Sequence, residues 1–422
     1  MKIHMISLGC DKNRVDSEKM LSNLLEKYPG SEITDDPAEA DIAIINTCSF
    51  IGDAKEESIN TIIEMGEYKQ SANLKKIIVA GCLVERYKDQ IRKELPEVDE
   101  VMGISDYVDK LDVQLARVDN ADNYTSYLKI AEGCDKYCTY CIIPSLRGHY
   151  RSVPMEHLIE EAKMLAERGT KELILVAQET TLYGKDIYHK KALPELLEKL
   201  SEIEGIEWIR ILYCYPEEID DELIAAIRDN KKVVHYLDIP IQHASDHILE
   251  NMHRKTRQAE LKERIAALRN AIPDIVLRTT LITGFPGETE EDFAILKDFV
   301  KEMRFDRLGV FPYSQEEGTA AAEMKPQIPQ KIKLQRQDEI MKLQQSIAFE
   351  KAREQVGREL RVIIVGYDPD NNMYLTRSYM DNPDIDSLVF VDAGDYNNKV
   401  SGDMIDCRII DADGYDLIGE RI

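Results

Sequence analysis

The sequence predicts an α/β protein in three parts: an N-terminal open parallel α/β sheet, a central partial (β/α)6 barrel and a small C-terminal all-β barrel. Three observations carry this. Short β-branched runs alternate with helical patterns over residues 1–118. The alternation resumes through six strand-like runs between residues 127 and 313. From about Gly357, short strands follow one another across Asp/Asn/Gly turns with no helical period between them. A chain of 422 residues at 43% hydrophobic can bury two or three ordinary cores. The expected divisions are 1–118, 119–355 and 356–422.

The N-terminal part contains a hidden repeat. "KIHMISLGC", "DIAIINTC" and "KKIIVAGC" are apolar runs that each end in a cysteine. Such runs suit strands buried on both faces of a parallel sheet. Helical patterns over residues 15–28 and 53–68, and another after Cys82, separate them, which is the alternation of an open α/β layer. Functional groups in such sheets gather at the carboxyl ends of the strands. Cys10, Cys48 and Cys82 all sit there, so they are expected to converge although far apart in sequence.

In the central part, strands are expected at 127–131, 172–177, 208–213, 234–239, 275–282 and 307–311. Amphipathic stretches lie between them; "MEHLIEEAKMLAERG" ends on Gly169, a suitable helix C-cap. Six units are fewer than the eight of a closed barrel, so an open, partial one is expected, with chemistry again at the strand ends. Residues 326–359 read as one long polar helix acting as a connector. "LRVIIVGY", "MYLTRS", "SLVFVDA" and "MIDCRIIDADGYDLIGERI" then form the strands of the last module.

Net charge is −25, which repels nucleic acid at long range and favours a basic partner. The start, "MKIHMISLGC", is too short and too polar at its ends for a signal peptide, and no apolar run approaches a membrane span. A cytoplasmic protein is expected. Thiols stay reduced there, so the eight cysteines read as metal-binding or catalytic before they read as disulfides.

"GCDKYCTYC" places Cys134, Cys138 and Cys141 in a Cys-x3-Cys-x2-Cys spacing after a short strand. A closed zinc site wants a fourth ligand, for which His149 is the nearest candidate. Three thiolates also suit an iron–sulfur cluster with one iron left open. Burial as plain core is disfavoured by the polar Asp135, Lys136 and Thr139 between the cysteines.

This motif, with Tyr140 just before the third cysteine, resembles the signature of the radical S-adenosylmethionine (radical SAM) enzymes. The resemblance implies a TIM-like partial barrel and a 4Fe–4S cluster on Cys134, Cys138 and Cys141, with S-adenosyl-L-methionine on the open iron. Cys10, Cys48 and Cys82, in "LGCDKNRVDSE", "NTCSF" and "AGC", resemble the N-terminal domain of the methylthiotransferases, which implies a second 4Fe–4S cluster that carries sulfur. The C-terminal module looks like a TRAM domain, so the resemblance covers essentially the whole chain. It further implies cofactor contacts from Tyr140, from Gln178 in "LVAQETTLYG", and from Arg278 and Gly284 in "LRTTLITGFPGET". Arg278 would pair with the cofactor carboxylate, and Gly284 and Gly287 would let backbone approach the ligand. Glu288 matches the family's glycine–acid spacing only loosely. His243 in "DIPIQHAS" is either structural or a substrate contact, and Cys214 and Cys407 read as core thiols.

Two branches of that family compete. One modifies an adenosine beside the anticodon of tRNA; the other modifies the β-carbon of an aspartate in small-subunit ribosomal protein twelve. "CIIPSLRG", "DIPIQHAS" and "VAQETTLYG" look like the protein-modifying versions of family motifs. Residues 357–422 hold fourteen acidic and six basic side chains, a net charge of −8. An RNA-binding module needs cations to displace counterions from phosphate, whereas an acidic one suits a basic protein. The ribosomal protein is therefore the expected substrate, with no tRNA expected and a reductant protein needed for electrons. An iron–sulfur electron carrier and a zinc-stabilised binding module are the alternatives of another class.

Overall fold

The computed structural model describes residues 1–118, 124–394 and 399–422. The expected division between residues 118 and 119 lies at the edge of what is described. In the N-terminal part the β-branched runs form parallel strands β1 (Lys2–Ser7), β2 (Glu32–Ile33), β3 (Ile42–Thr47), β4 (Lys76–Gly81) and β5 (Glu100–Met102). Their order is β2-β1-β3-β4-β5. β3 is buried along its whole length, as a central strand covered on both faces must be. Helices α1 (Asp11–Lys27), α2 (Gly52–Ser71), α3 (Cys82–Glu94) and α4 (Ile104–Asp112) provide the cover. Because β1, β3 and β4 are neighbours, the three cysteines at their ends are neighbours too.

α1 is unusual in what it buries. Lys12, Asn13, Asp16, Ser17, Glu18 and Lys19 are inaccessible along with Val15, Met20 and Leu21. Burying charges without partners would be prohibitive, and the partners come from the central part of the chain.

There, β6 (Thr125–Lys129) is followed by a short antiparallel pair, β7 (Ala131–Glu132) with β8 (Arg151–Ser152). This pair frames the cysteine loop and α5 (Ile143–Arg147). Then come β9 (Glu172–Val176), β10 (Trp208–Ile211), β11 (Val233–Asp238), β12 (Val276–Thr283) and β13 (Arg307–Pro312). The sheet is parallel, in the order β13-β12-β11-β10-β9-β6, six strands as expected and left open. Its outer helices are α6 (Met155–Glu167), α7 (Leu193–Ser201), α8 (Asp221–Asp229), α9 (Asp246–Asn251), α10 (Gln258–Ala271) and α11 (Glu290–Met303).

The structure corrects one expectation here. After the short α12 (Ala320–Glu323), the helix expected over 326–359 is α13 (Gln330–Arg353), and it is no free connector. Ile340, Ile347, Ala348 and Ala352 are buried, and Ile340 and Ile347 belong to the main core. The apolar positions are few among polar ones, so the narrow stripe was hidden in an average.

The last module is a closed barrel of β14 (Glu359–Asp368), β15 (Met373–Ser378), β16 (Val389–Asp392), β17 (Met404–Asp413) and β18 (Asp416–Arg421), in the order β14-β15-β16-β18-β17. Its interior residues Val362, Tyr374, Val391 and Leu417 share one apolar cluster with Tyr127, Ile174, Trp208 and Tyr236 of the central sheet. Ion pairs seal the contact: Glu172 to Arg377 at 2.6 Å, Arg307 to Asp381 at 2.6 Å and Arg278 to Asp386 at 2.7 Å. Among the described residues, no helix is long and apolar enough to cross a membrane.

Candidate functional site

Cys134, Cys138 and Cys141 leave the end of β7 in a loop pinned from several sides. The Cys134 amide donates to the Gly148 carbonyl at 3.2 Å, and the Thr139 amide to the Met252 carbonyl at 3.1 Å. Burial pushes the Cys134 thiol up to about 11 and the Cys141 thiol up to about 12, and the thiols reinforce one another. Such thiols ionise when a cationic centre claims them. One cation is already at hand. The buried Arg254 lies with Nη1 4.0 Å from Cys138 Sγ and its guanidinium 4.2 Å from the centre of the Tyr215 ring.

The N-terminal trio is assembled by strand ends. Gly9 holds φ +88°, and a Cβ there would fall 2.7 Å from Cys48 Cβ, so only glycine lets the Cys10 turn close on Cys48. The Cys48 amide donates to the Ser58 hydroxyl oxygen at 3.1 Å. Cys82 opens α3; burial pushes its thiol up to about 12, Arg147 opposes that, and Cys10 and Cys48 add to it.

Each trio offers three thiols, one short of the closed tetrahedral set of a structural zinc and the number that leaves one iron of a cluster open. His149 does not complete a zinc site either. Its Nδ1 pairs with Asp135 at 2.8 Å and its side chain is 81% exposed.

Between the trios lies one buried polar layer. Lys129 Nζ reaches Asp16 at 2.5 Å, Asp112 at 2.7 Å and Glu132 at 3.1 Å, so the three-carboxylate group already holds an ammonium. Arg147 Nη1 lies 2.7 Å from Glu132 and 3.2 Å from Asp16, and its Nη2 donates to Asn13. Burial alone would raise the Glu132 pKa; Arg147 and Lys129 outweigh it and hold the carboxyl down at about 2. Nearby, the Tyr213 hydroxyl donates to Asp11 at 3.0 Å, and Lys12 Nζ sits 3.3 Å from the centre of the same ring.

The residues expected to meet cofactor fare unequally. Gln178 reaches this layer, its amide donating to Glu132 at 2.7 Å. Tyr140 packs on Ile248, Met252, Phe285 and Tyr313 beside the cysteine loop. Arg278 is not free for a cofactor carboxylate: Asp386 of the C-terminal barrel occupies its guanidinium, with Asp238 at 3.9 Å. Gly284 is not open to a ligand: at φ +70°, a Cβ would fall 2.3 Å from Lys333 Cγ, so it serves the approach of α13. Gly287 does face open space. Glu288 is a structural hub, accepting from the Gly284 amide at 2.8 Å and pairing with Arg336 at 2.6 Å. His243 is fully buried, accepts from the Ser245 amide at 3.0 Å and lies 3.5 Å from Glu288, a structural placement. Cys214 and Cys407 lie in apolar cores.

Sequence reasoning missed Arg147, Arg254, Lys129 and Glu179. Glu179 is fully buried, burial pushes it up to about 7, and its Oε2 has no hydrogen-bond partner, with Lys136 only at 3.9 Å. An orphaned carboxylate oxygen beside the cysteine loop fits a ligand ammonium, such as the amino group of S-adenosylmethionine. Its neighbour Gln178 carried the only signal in the sequence.

Three family models match: Uncharacterized protein family UPF0004 over residues 2–103, Radical SAM superfamily over 128–300 and TRAM domain over 356–422. A curated relative from Lachnoclostridium phytofermentans, Ribosomal protein uS12 methylthiotransferase RimO, is 57% identical over 99% of both chains. Proteins of the same name from Thermoanaerobacter sp. and Acetivibrio thermocellus are 48% and 49% identical, over 99% and 100% of this chain and 99% and 98% of theirs. Among solved structures, the radical S-adenosylmethionine methyltransferase TsrM from Kitasatospora setae, with cobalamin and a 4Fe–4S cluster bound, superposes at a TM-score of 0.54 and 13% identity, covering 74% of each chain. The cobalamin-dependent S-adenosylmethionine radical enzyme OxsB superposes at 0.50 and 14%, covering 81% of this chain and 56% of that one. These two likenesses speak for the fold alone. With three matched domains and near-complete coverage at such identity, the chain belongs to the RimO family of radical S-adenosylmethionine methylthiotransferases.

Proposed function

We propose that this chain methylthiolates the β-carbon of an aspartate in ribosomal protein uS12, the twelfth protein of the small subunit, using S-adenosyl-L-methionine and two 4Fe–4S clusters. The observation that carries the reading is the pair of three-thiol sites, two thiols of each buried and one half-buried, on either side of one buried polar layer. Cys134, Cys138 and Cys141 would hold one cluster, and Cys10, Cys48 and Cys82 the other. Bound there, the clusters and S-adenosylmethionine supply radical formation, sulfur and a methyl group, which is chemistry that no side chain offers. The chain's own part is to bind, orient and keep water out. Tyr140 and Gln178 line the cofactor side, and the unpaired Glu179 oxygen suits its ammonium. Arg254 balances charge at Cys138. Arg278 and Gly284 have no cofactor role in this reading, because Asp386 and Lys333 occupy them.

We read residues 1–118 as the sulfur-carrying part, 119–355 as the radical part and 356–422 as a substrate-facing module. The barrel's exposed acids, among them Asp370, Asp392, Asp406, Asp411 and Asp413, suit a basic protein and oppose tRNA phosphate. A separate reductant protein would deliver electrons, and the setting would be cytoplasmic. The test is direct. The reduced, reconstituted enzyme is incubated with S-adenosylmethionine and either uS12 or tRNA, and each product is weighed by mass spectrometry. A methylthio gain on uS12 alone is expected; a gain on tRNA alone overturns the substrate, and absence of 5′-deoxyadenosine overturns the radical reaction.

A further inference from the structure

We propose that Arg147, although it belongs to the radical part of the chain, is a positioning residue of the N-terminal three-cysteine site. The inference rests on the reading that Cys10, Cys48 and Cys82 hold an iron–sulfur cluster. It begins from chain geometry. Only Ile142, the N-cap, separates Cys141 from α5, whose five residues end on Arg147. Ile142 and Leu146 of this segment pack in one apolar cluster with Ala80 and Cys82 of the N-terminal part. The stretch "CIIPSLRG" therefore starts as a ligand of one site and finishes against the other.

At that end the guanidinium is 1% exposed and held by a full set of partners. Glu132, Asp16 and Asn13 fix the plane of its fork. Asn13 carries the link onward, donating to the Leu8 carbonyl at 2.8 Å and the Thr47 carbonyl at 3.1 Å, so the guanidinium is tied to the turns that present Cys10 and Cys48. Arginine stays charged at any physiological pH. A fixed buried cation beside thiolate ligands favours whichever cluster state carries more negative charge, and so raises the reduction potential. Lys19, a buried cation of the same seam that pairs with Glu161 at 2.9 Å, serves as the control.

The test uses the full-length chain with Cys134, Cys138 and Cys141 all replaced by Ala, reconstituted anaerobically, so that only the N-terminal site can take up iron. Iron content, the electron paramagnetic resonance spectrum and the midpoint potential are measured in this parent and with Arg147→Gln, Arg147→Lys or Lys19→Gln added. Arg147→Gln should shift the reduction equilibrium at least tenfold toward the oxidised state, about 59 mV for one electron. Arg147→Lys should return most of that shift, and Lys19→Gln should leave the potential where it was. If Arg147→Gln does not fold, Arg147→Gln with Glu132→Gln removes cation and carboxylate together and should shift the equilibrium in the same direction by a smaller factor, while Glu132→Gln alone should shift it the opposite way. A parent that binds no iron overturns the two-cluster reading itself. A parent that binds iron, with the potential unmoved by loss of Arg147 or moved equally by Lys19→Gln, overturns the proposal alone.

Discussion

Lys129 is the keystone of the polar layer, and replacing it by Met tests the layer as a whole. Its ammonium is inaccessible and lies within 3.1 Å of Asp16, Asp112 and Glu132. Asp16 and Asp112 come from the N-terminal part, Lys129 and Glu132 from the central one. Met fills much of the same volume but leaves three carboxylates facing each other. Removing one partner of a buried ionic group costs roughly 3–5 kcal/mol. At roughly 2–4 °C per kcal/mol for a unit of 150–250 residues, the melting point should fall by roughly 6–20 °C. The three carboxylate oxygens lie within 4.8 Å of one another, so the variant should gain a cation site that wild type lacks. Calcium at a hundred times its dissociation constant would restore about 2.7 kcal/mol. The assay is thermal unfolding of the anaerobic, cluster-loaded protein by circular dichroism, with calcium or with chelator. A fall below about 2 °C, or equal stabilisation of wild type and variant by calcium, would refute the argument.

Three further outcomes are expected. Under the proposed two-cluster reading, replacing Cys10, Cys48 and Cys82 by Ala should remove about half the bound iron and stop thiolation while S-adenosylmethionine cleavage survives; persisting thiolation would exclude the N-terminal site as sulfur carrier. Asp238 is buried, one of its oxygens has no hydrogen-bond partner and meets Arg278 only at 3.9 Å, and burial raises its carboxyl from 3.8 to about 6. Its stability contribution is complete below pH 3.8 and lost as pH rises through 6, so Asp238→Asn should unfold alongside wild type at pH 3.5 yet be more stable at pH 7.5, by up to about 3 kcal/mol; denaturant titration at the two values checks it. Gly284→Ala should lose about 1–3 kcal/mol through strain at positive φ and a clash with Lys333, without weakening S-adenosylmethionine binding; weakened binding at unchanged stability would reverse that assignment.

Much of the fold was legible because its signals are local. "DIAIINTC" and "KKIIVAGC" carry strand length, strand type and the functional residue in one stretch, and parallel pairing then places Cys48 beside Cys82. What was not legible depends on distance and register. Arg147 and Asp16 are 131 residues apart, and Arg278 and Asp386 are 108 apart. Nothing near Arg278 in the chain says that a carboxylate from the last barrel will take its guanidinium first. Gly284 looked like a ligand glycine because its neighbours form a strand end; the helix residue that presses on it, Lys333, lies far along the chain. Glu179 and Arg254 stayed hidden for another reason: single charged residues are common, and only burial without a full set of partners marks them as sites.

The same distance problem explains why the seam is ionic. In the proposed reaction two cluster sites on separate sheets must face each other in one register for sulfur to meet the carbon it is meant for. An apolar seam of similar area would hold the sheets together yet tolerate sliding, since aliphatic contacts are non-directional. The layer of Asp16, Lys129, Glu132, Arg147 and Asn13 does not tolerate it. A displacement of a few ångströms leaves buried charges unpaired, at several kcal/mol each. Such a layer adds little net stability over a greasy one, because desolvation offsets most of its attraction. Its contribution is that neighbouring registers are far worse. α1 departs directly from Cys10 and α5 follows Cys141 after Ile142 alone, so the helices that supply Asp16 and Arg147 are also the chain that holds the thiols. Fixing the charges therefore fixes the two sites relative to each other.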